Sequence, residues 1–180
     1  MSRYGADEYR YASPIALGLV QSAPFRVWLI KKTRFSCHAD LSRLLHEEQR
    51  ARRTPQAENW WRSYWVTNSS CSCRRCGERE TDLLAIFSTP DDQRFALHVE
   101  VKSPNDKFSL DQARDYPRRA DCWKGREKAP KTILPHDDAG TVLVCDQRFV
   151  ALNKTHASFF ETVITFDEIS SWLSPFPNPK

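Results

Sequence analysis

A single α/β domain, with a central sheet flanked by helices, is the fold class the sequence predicts. Three observations predict it. Residues 82–102 hold two apolar runs separated by Thr89-Pro90-Asp91-Asp92-Gln93, a hairpin pattern. A capped helix reads immediately after it, from Ser109 onward. Thr141–Cys145 and Glu161–Phe166 then run or alternate as strands do. Helical and strand patterns taking turns along one chain argue for a layered α/β architecture. Residues 1–54 read as an N-terminal addition and a helix packed on the core. Residues 55–174 read as the core with a cysteine-containing loop at 71–77, and 175–180 as a proline-rich tail.

The elements follow in order. Residues 1–24 read as weakly structured, with Tyr4, Tyr9 and Tyr11 among charges and a short apolar run before Pro24. Phe25–Lys32 reads as a strand, because Phe25, Val27 and Leu29 alternate. Ala39–Arg53 has a helical stripe of Leu41, Leu44 and Leu45, with Glu48 in line and Arg43, Arg50, Arg52 and Arg53 largely elsewhere. Thr54-Pro55 marks a break and a second helix start, running to about Trp65, with Glu58, Trp61 and Trp65 on one face. A carboxylate on such a stripe is costly to bury without a partner. Residues 64–68 read as a first core strand.

Cys71, Cys73 and Cys76 then fall within six residues. Three thiols so close supply three ligands of a tetrahedral zinc site. Cys37, His38, Cys122 and Cys145 are the candidates for the fourth, with Cys37 tying the N-terminal segment to the loop. The other reading of the loop is unligated cysteines with Arg74 and Arg75 contacting phosphate.

In the hairpin, Phe95, Leu97, Val99 and Val101 share one face of the second strand, and Ala96, His98, Glu100 and Lys102 share the other. Asp82 opens the neighbouring strand, near Glu100 and Lys102. Two carboxylates a few ångströms apart repel, and a hard divalent cation relieves that repulsion, so the pair points to Mg²⁺ or Mn²⁺. A lysine beside them can orient water or stabilise charge developing on phosphate. The plainer reading is an edge strand with a solvated polar face.

The helix after the hairpin has Ser109 at its N-cap and Gln112 three residues on, and Gln112 and Tyr116 share a face. Pro117 kinks this helix or ends it early. Arg114, Arg118, Arg119, Trp123, Lys124 and Arg126 form a basic, aromatic run suited to a phosphate backbone or an unpaired base. Asp146–Lys154 is a turn and a further apolar segment. Asp167–Leu173 is a short helix with Asp167 as its cap.

Asp82 followed by Glu100-Val101-Lys102 resembles the core motif of the PD-(D/E)xK nuclease superfamily, with Thr81 where the proline of the pattern would stand. Gln112 and Tyr116 resemble the Q-x-x-x-Y motif of its RecB-like and lambda-exonuclease-like branches. The resemblance spans roughly residues 55–170. It implies a restriction-endonuclease-like α-β-β-β-α-β core and metal-dependent hydrolysis of DNA phosphodiester bonds. Asp82, Glu100 and the Val101 carbonyl would hold Mg²⁺ or Mn²⁺, and Lys102 would orient the attacking water. A glutamate on the first core helix would complete the site. Glu58 is favoured for it over Glu48, since its helix leads directly into the expected first strand. Gln112, Tyr116, Arg74, Arg75, Arg118 and Arg119 would position the DNA strand.

Composition sets the limits of this reading. The chain has 180 residues, 40% of them apolar, enough for one domain with a sizeable core. The net charge of +4 is compatible with a polyanionic partner. No apolar run reaches membrane-spanning length and no secretory leader pattern stands at the N-terminus, so a cytoplasmic setting without a membrane partner is expected. Free or metal-bound cysteines fit that setting better than disulfides. The rival readings are a non-catalytic nucleic-acid or protein-binding module of the same fold with a zinc-stabilised loop, and a nuclease subunit acting as a homodimer or with a protein partner.

Overall fold

The computed structural model describes residues 6–53, 59–64, 80–103, 106–125 and 132–177. Its elements, in order, are α1 (Ala6–Gln21), α2 (Ala23–Lys31), a 3₁₀ turn (Ser36–His38), β1 (Arg43–Leu44), α3 (His46–Ala51), β2 (Ser63–Tyr64) and β3 (Glu80–Thr81). There follow β4 (Leu83–Ser88), β5 (Arg94–Lys102), α4 (Leu110–Trp123), β6 (Asp138–Cys145), α5 (Gln147–Leu152), α6 (Lys154–Ala157), β7 (Thr162–Thr165) and α7 (Phe166–Ser170). The fold is mixed α/β. A five-stranded mixed sheet has the order β1-β4-β5-β6-β7. β4 runs antiparallel to its neighbours β1 and β5, and β5, β6 and β7 run parallel. The parallel step requires a crossover, which α4 supplies. No helix among the described residues is long and apolar enough to cross a membrane.

The hairpin forms as the sequence predicts. The Thr89 amide donates to the Gln93 carbonyl and the Asp92 amide to the Thr89 carbonyl. Asp92 takes a left-handed φ of 58°, which aspartate tolerates better than most residues. The two strands pair from Leu83↔Val99 to Ser88↔Arg94. β5 is the central strand, not an edge, and both of its faces are covered. Phe95, Leu97, Val99 and Val101 join one core with α1, α2 and α7. The opposite face lies under α4 and the α5–α6 region.

The N-terminal third differs from the sequence expectation. Residues 6–21 are helical, with Tyr11, Ala12, Ile15, Ala16 and Leu19 buried at helical spacing, although Pro14 lies inside the helix. Burial of that stripe offsets the proline's cost of about 3 kcal/mol. Phe25–Lys32 is not a strand. The Ser22 hydroxyl accepts from the Phe25 amide at 3.3 Å, capping α2, and Phe25, Leu29 and Ile30 are buried. Phe25 and Leu29 fit both periods, Ile30 beside them fits only the helical one, and the Ser22 cap starts the helix. The buried residues of α1 and α2 therefore share one core cluster with the sheet.

The helix expected over Ala39–Arg53 shrinks to α3, because Arg43 and Leu44 pair with Ser88 and Phe87 as an edge strand. Leu41 is 70% exposed and belongs to no buried stripe. Gln49 prolongs the pairing with its side chain, donating to the Leu84 carbonyl and accepting from the Ile86 amide, both at 2.9 Å. The helix expected over 55–65 is absent where the chain is described: residues 59–62 turn, and Ser63–Tyr64 pairs with Glu80–Thr81 in a separate two-stranded sheet. Thus β1 stands first in the main sheet, while Tyr64, the described residue of the expected first strand, pairs in the smaller one.

α4 runs on through Pro117 to Trp123, held by its buried face of Ala113, Tyr116, Ala120 and Trp123. The segment 147–152 is helical, and Thr165 caps α7 in place of Asp167, in a capping box with Glu168. In the tail, Phe176 packs against Tyr11 and Phe166 with ring centroids 6.0 and 5.9 Å apart.

Candidate active site

The C-terminal end of β5 collects the charged residues. Leu83 pairs with Val99, so Asp82, one step before β4, falls opposite Glu100 and on its face of the sheet. Where β4 ends, the ladder is continued by a side chain: the Val101 amide donates to Asp82 Oδ2 at 2.8 Å. Asp82 is thereby fixed against β5 by the strand it would otherwise leave unpaired. Lys102 Nζ lies 2.7 Å from Glu100 Oε1 and 3.3 Å from Glu8 Oε1. Its ammonium also stands 5.2 Å from the centre of the Phe108 ring. The Lys102 and Glu100 side chains are 4% and 2% exposed.

α4 closes the site from the opposite side. The Ser109 hydroxyl accepts from the Gln112 amide, starting the helix. That places Gln112 over β5, where its Nε2 donates to Glu100 Oε1 at 2.9 Å. One turn later the Tyr116 hydroxyl donates to the Val99 carbonyl at 3.1 Å. The Arg119 guanidinium lies 4.2 Å from the centre of the Tyr116 ring.

Ionisation follows from this crowding. Three carboxylates, from Glu8, Asp82 and Glu100, surround one ammonium. Burial raises the Asp82 pKa well above the usual carboxylate range, and the nearby Glu100 and Glu8 charges raise it further. Glu8 is also raised, chiefly by burial, against the pull of Lys102. Burial alone would lower Lys102, but the Glu100 and Asp82 carboxylates outweigh it and hold the ammonium charged beyond the ordinary lysine range. The opposite balance at Glu8 and Lys102 has one cause: each carboxylate meets the other carboxylates as well as the cation, while the cation meets only anions. The Tyr116 phenol is raised well above its usual value by burial and then by Glu100 and Asp82, so it stays neutral.

Among the described residues the donor set is all oxygen and hard, with Lys102 lying between Glu8 and Glu100. That chemistry fits Mg²⁺ or Mn²⁺, and Asp82, Glu100 and Glu8 are the side chains that could hold it. Among the described residues no three ligating side chains stand preassembled about a common position. Lys102 instead bridges two of the carboxylates.

The structure brings together Asp82, Glu100, Val101, Lys102 and Gln112 as the sequence predicts. It adds Glu8, which the sequence reading left in a weakly structured segment. The signal was present: Glu8, Tyr11, Ala12, Ile15 and Leu19 follow helical spacing, with the carboxylate in line with the buried stripe. Glu58, the expected helix glutamate, lies outside the described residues. Glu48, its competitor, pairs with Arg43 at 2.7 Å. Cys71, Cys73, Cys76, Arg74, Arg75 and Arg126 also lie outside the described residues. Of the candidates for a fourth zinc ligand, Cys37 is exposed, Cys122 half-buried and Cys145 buried in the core, where burial pushes its thiol up to about 12. His38 stacks on Phe95 at 6.0 Å.

Two of the expected strand-positioning residues lie below the surface. Tyr116 is fully buried and its hydroxyl donates to the Val99 carbonyl, so it braces β5 beneath the site. Arg119 is buried on the same helix face. Arg118 is exposed, 3.6 Å from the Asp115 carboxylate.

No protein-family model, curated protein or solved structure matches the chain. The site is therefore read from its own geometry.

Proposed function

We propose that the protein is a divalent-metal-dependent nuclease that hydrolyses DNA phosphodiester bonds, built on a restriction-endonuclease-like core. One observation carries the reading: Asp82, Glu100 and Lys102 converge on the central strand's end while a glutamate from α1 joins them. The order of elements supports the fold assignment. A helix covers one face, three antiparallel strands follow, and a helix on the other face leads to a parallel strand.

When bound, Mg²⁺ or Mn²⁺ supplies a Lewis acid for the scissile phosphate and lowers the pKa of water in the site. Glu8, Asp82 and Glu100 are the residues that would hold it, with the Val101 carbonyl as a further oxygen. Asp82 is positioned by the Val101 amide and Glu100 by Gln112, so neither carboxylate needs to reorganise far to meet a cation. Lys102 lies within the cluster and remains charged, which suits it to orient water and to stabilise charge developing on the phosphate oxygens. Tyr116 and Phe108 keep the ground behind these groups dry, which strengthens each interaction.

Cleavage of supercoiled, linear and single-stranded DNA with Mg²⁺ or Mn²⁺ tests the proposal, with Lys102→Ala and EDTA as controls. Metal-dependent cutting lost in the variant is the expected result. Binding of DNA without cutting, on every substrate and with both metals, would establish a non-catalytic binding module.

A further inference from the structure

We propose that a cleft at the far end of β5 binds a free α-amino acid with an apolar side chain, in its zwitterionic form. The site shares no residue with the Glu100–Lys102 cluster: Arg94 opens β5 and Lys102 closes it, about 26 Å apart at the rise of an extended strand. Beside Arg94, the hairpin turn, the segment after α2 and the start of β6 border a cleft of about 270 Å³. Phe35 and Phe95, whose ring centroids lie 4.4 Å apart, make the apolar part of its lining. Arg34, Arg94, Asp137 and Asp138 make the charged part. These walls are held by their own hydrogen bonds. The Arg94 amide donates to Asp137 Oδ2 at 2.9 Å, and the Asp137 amide donates to the Arg94 carbonyl at 2.8 Å. Arg34 donates to Asp138 Oδ1 at 2.5 Å and to the Ala139 carbonyl at 2.6 Å, and its Nε lies 3.3 Å from Glu161 Oε2. A lining fixed in this way loses little freedom when a ligand enters.

Charge and size set the ligand class. Arg34 is already matched by Asp138 and Glu161. Arg94 is not matched: its half-buried side chain makes no ion pair among the described residues, and its Nε is shut off from water with no hydrogen-bond partner. Asp137 is exposed and gives one oxygen to the Arg94 amide, which leaves the other to a ligand. The backbone bonds between Arg94 and Asp137 keep this cation and this anion side by side, within reach of the two ends of one small molecule. Two guanidinium and two carboxylate side chains line the cleft, so it favours neither a net anion nor a net cation. A ligand with a carboxylate alone would satisfy Arg94 but lie against Asp137 and Asp138, and one with an amine alone would lie against Arg94. A zwitterion answers both, its carboxylate accepting from Arg94 and its ammonium donating to Asp137. A volume of about 270 Å³ falls just below the ~300–1,000 Å³ of sites for drug-sized ligands, which suits a single amino acid. Phe35 and Phe95 favour an aliphatic or aromatic side chain on it, since a charged one would bring an unmatched charge to a balanced lining.

Isothermal titration calorimetry on the full-length protein tests the site. The probes are L-phenylalanine and L-leucine, with 3-phenylpropanoate lacking the ammonium and phenethylamine lacking the carboxylate. At least one of the two amino acids is expected to bind with a stoichiometry of one, and the two single-charge probes should bind about tenfold more weakly or worse. Arg94→Gln removes the cation and should weaken amino-acid binding by about ten- to a hundredfold. Asp137→Asn keeps an oxygen for the Arg94 amide while removing the charge, and should weaken it by a similar factor. Urea denaturation of each variant without ligand reports its folding, and where Arg94→Gln fails to fold, Asp137→Asn decides. The proposal is overturned if neither amino acid binds at millimolar concentration, if 3-phenylpropanoate binds as tightly as L-phenylalanine, or if the folded variants bind as wild type does.

Discussion

The two faces of β5 are equally dry and chemically opposite. Phe95, Leu97, Val99 and Val101 meet α1, α2 and α7 in a continuous apolar core. Ala96, His98, Glu100 and Lys102 meet α4 and its surroundings, and three of these four are polar. Val101 and Lys102, adjacent in sequence, are 0% and 3% exposed. Burial therefore does not separate the faces; the cost of burial does. An apolar side chain gains from leaving water, roughly 25 cal/mol per Å². A carboxylate and an ammonium lose hydration, and their attraction offsets that loss only with good geometry and further hydrogen bonds. Gln112 on Glu100 and the Val101 amide on Asp82 are those further bonds. A strand that could hold aliphatic residues on both sides holds an ion cluster on one, which is the pattern of a site retained for chemistry.

The largest expected effect would break this contrast outright. Lys102→Met should lower metal-dependent DNA cleavage by on the order of 10²–10³-fold, the loss seen when one pre-placed donor is removed from a charge-developing site. Initial rates on a plasmid substrate measure it, and activity within tenfold of wild type would mean the polar face is structural. Stability sharpens the same contrast. Lys102→Met alone strands buried carboxylates and should cost about 3–5 kcal/mol, while Glu100→Met/Lys102→Met should recover much of that loss. Urea denaturation of the two variants gives the comparison, and a double variant no better than the single would contradict it.

On the apolar face, Leu97→Ala should cost about 2–5 kcal/mol through the cavity it leaves. Its denaturation midpoint should fall, with the surviving folded protein still cutting DNA under stabilising conditions. Gln112→Ala is milder. It removes one donor to Glu100 Oε1, for about 1–3 kcal/mol. Its cleavage rate should fall more than its substrate affinity, a split that steady-state kinetics would resolve.

The smallest effect concerns pH. Burial, then His136 and Arg119, hold the His98 pKa well below 6.5, and burial lowers His136 as well. Below about pH 6.5 the unfolded chain takes up protons that the folded chain refuses. The stability these neutral imidazoles permit is complete above that pH and declines as the pH falls toward their folded values. His136→Gln should flatten the decline between about pH 7.5 and about pH 5.5, read from denaturation midpoints at each. An unchanged slope would show that other groups set it.

Local chemistry alone determined a good part of this protein. The Pro90-Asp91 turn with flanking apolar runs made the hairpin readable. Period-two alternation then placed Glu100 and Lys102 on one face, and the Ser109 cap placed Gln112 one helical turn into α4. These features depend on neighbours in the chain, so the chain displays them. Tertiary structure alone decided the rest. Pro14 and the scattered charges disguised α1 until a sheet stood ready to bury Tyr11, Ile15 and Leu19. The same packing brought Glu8 to Lys102 across the length of the domain. Phe25–Lys32 reads as a strand by alternation, and burial of Ile30 beside Phe25 and Leu29, with the Ser22 cap, makes it a helix. Arg43 and Leu44 became a strand only because β4 offered an open edge. Tyr116 faces inward because Val99's carbonyl, seventeen residues back in the chain, lies beneath it. Each of these outcomes rests on burial between distant segments, and burial is a property of the folded whole.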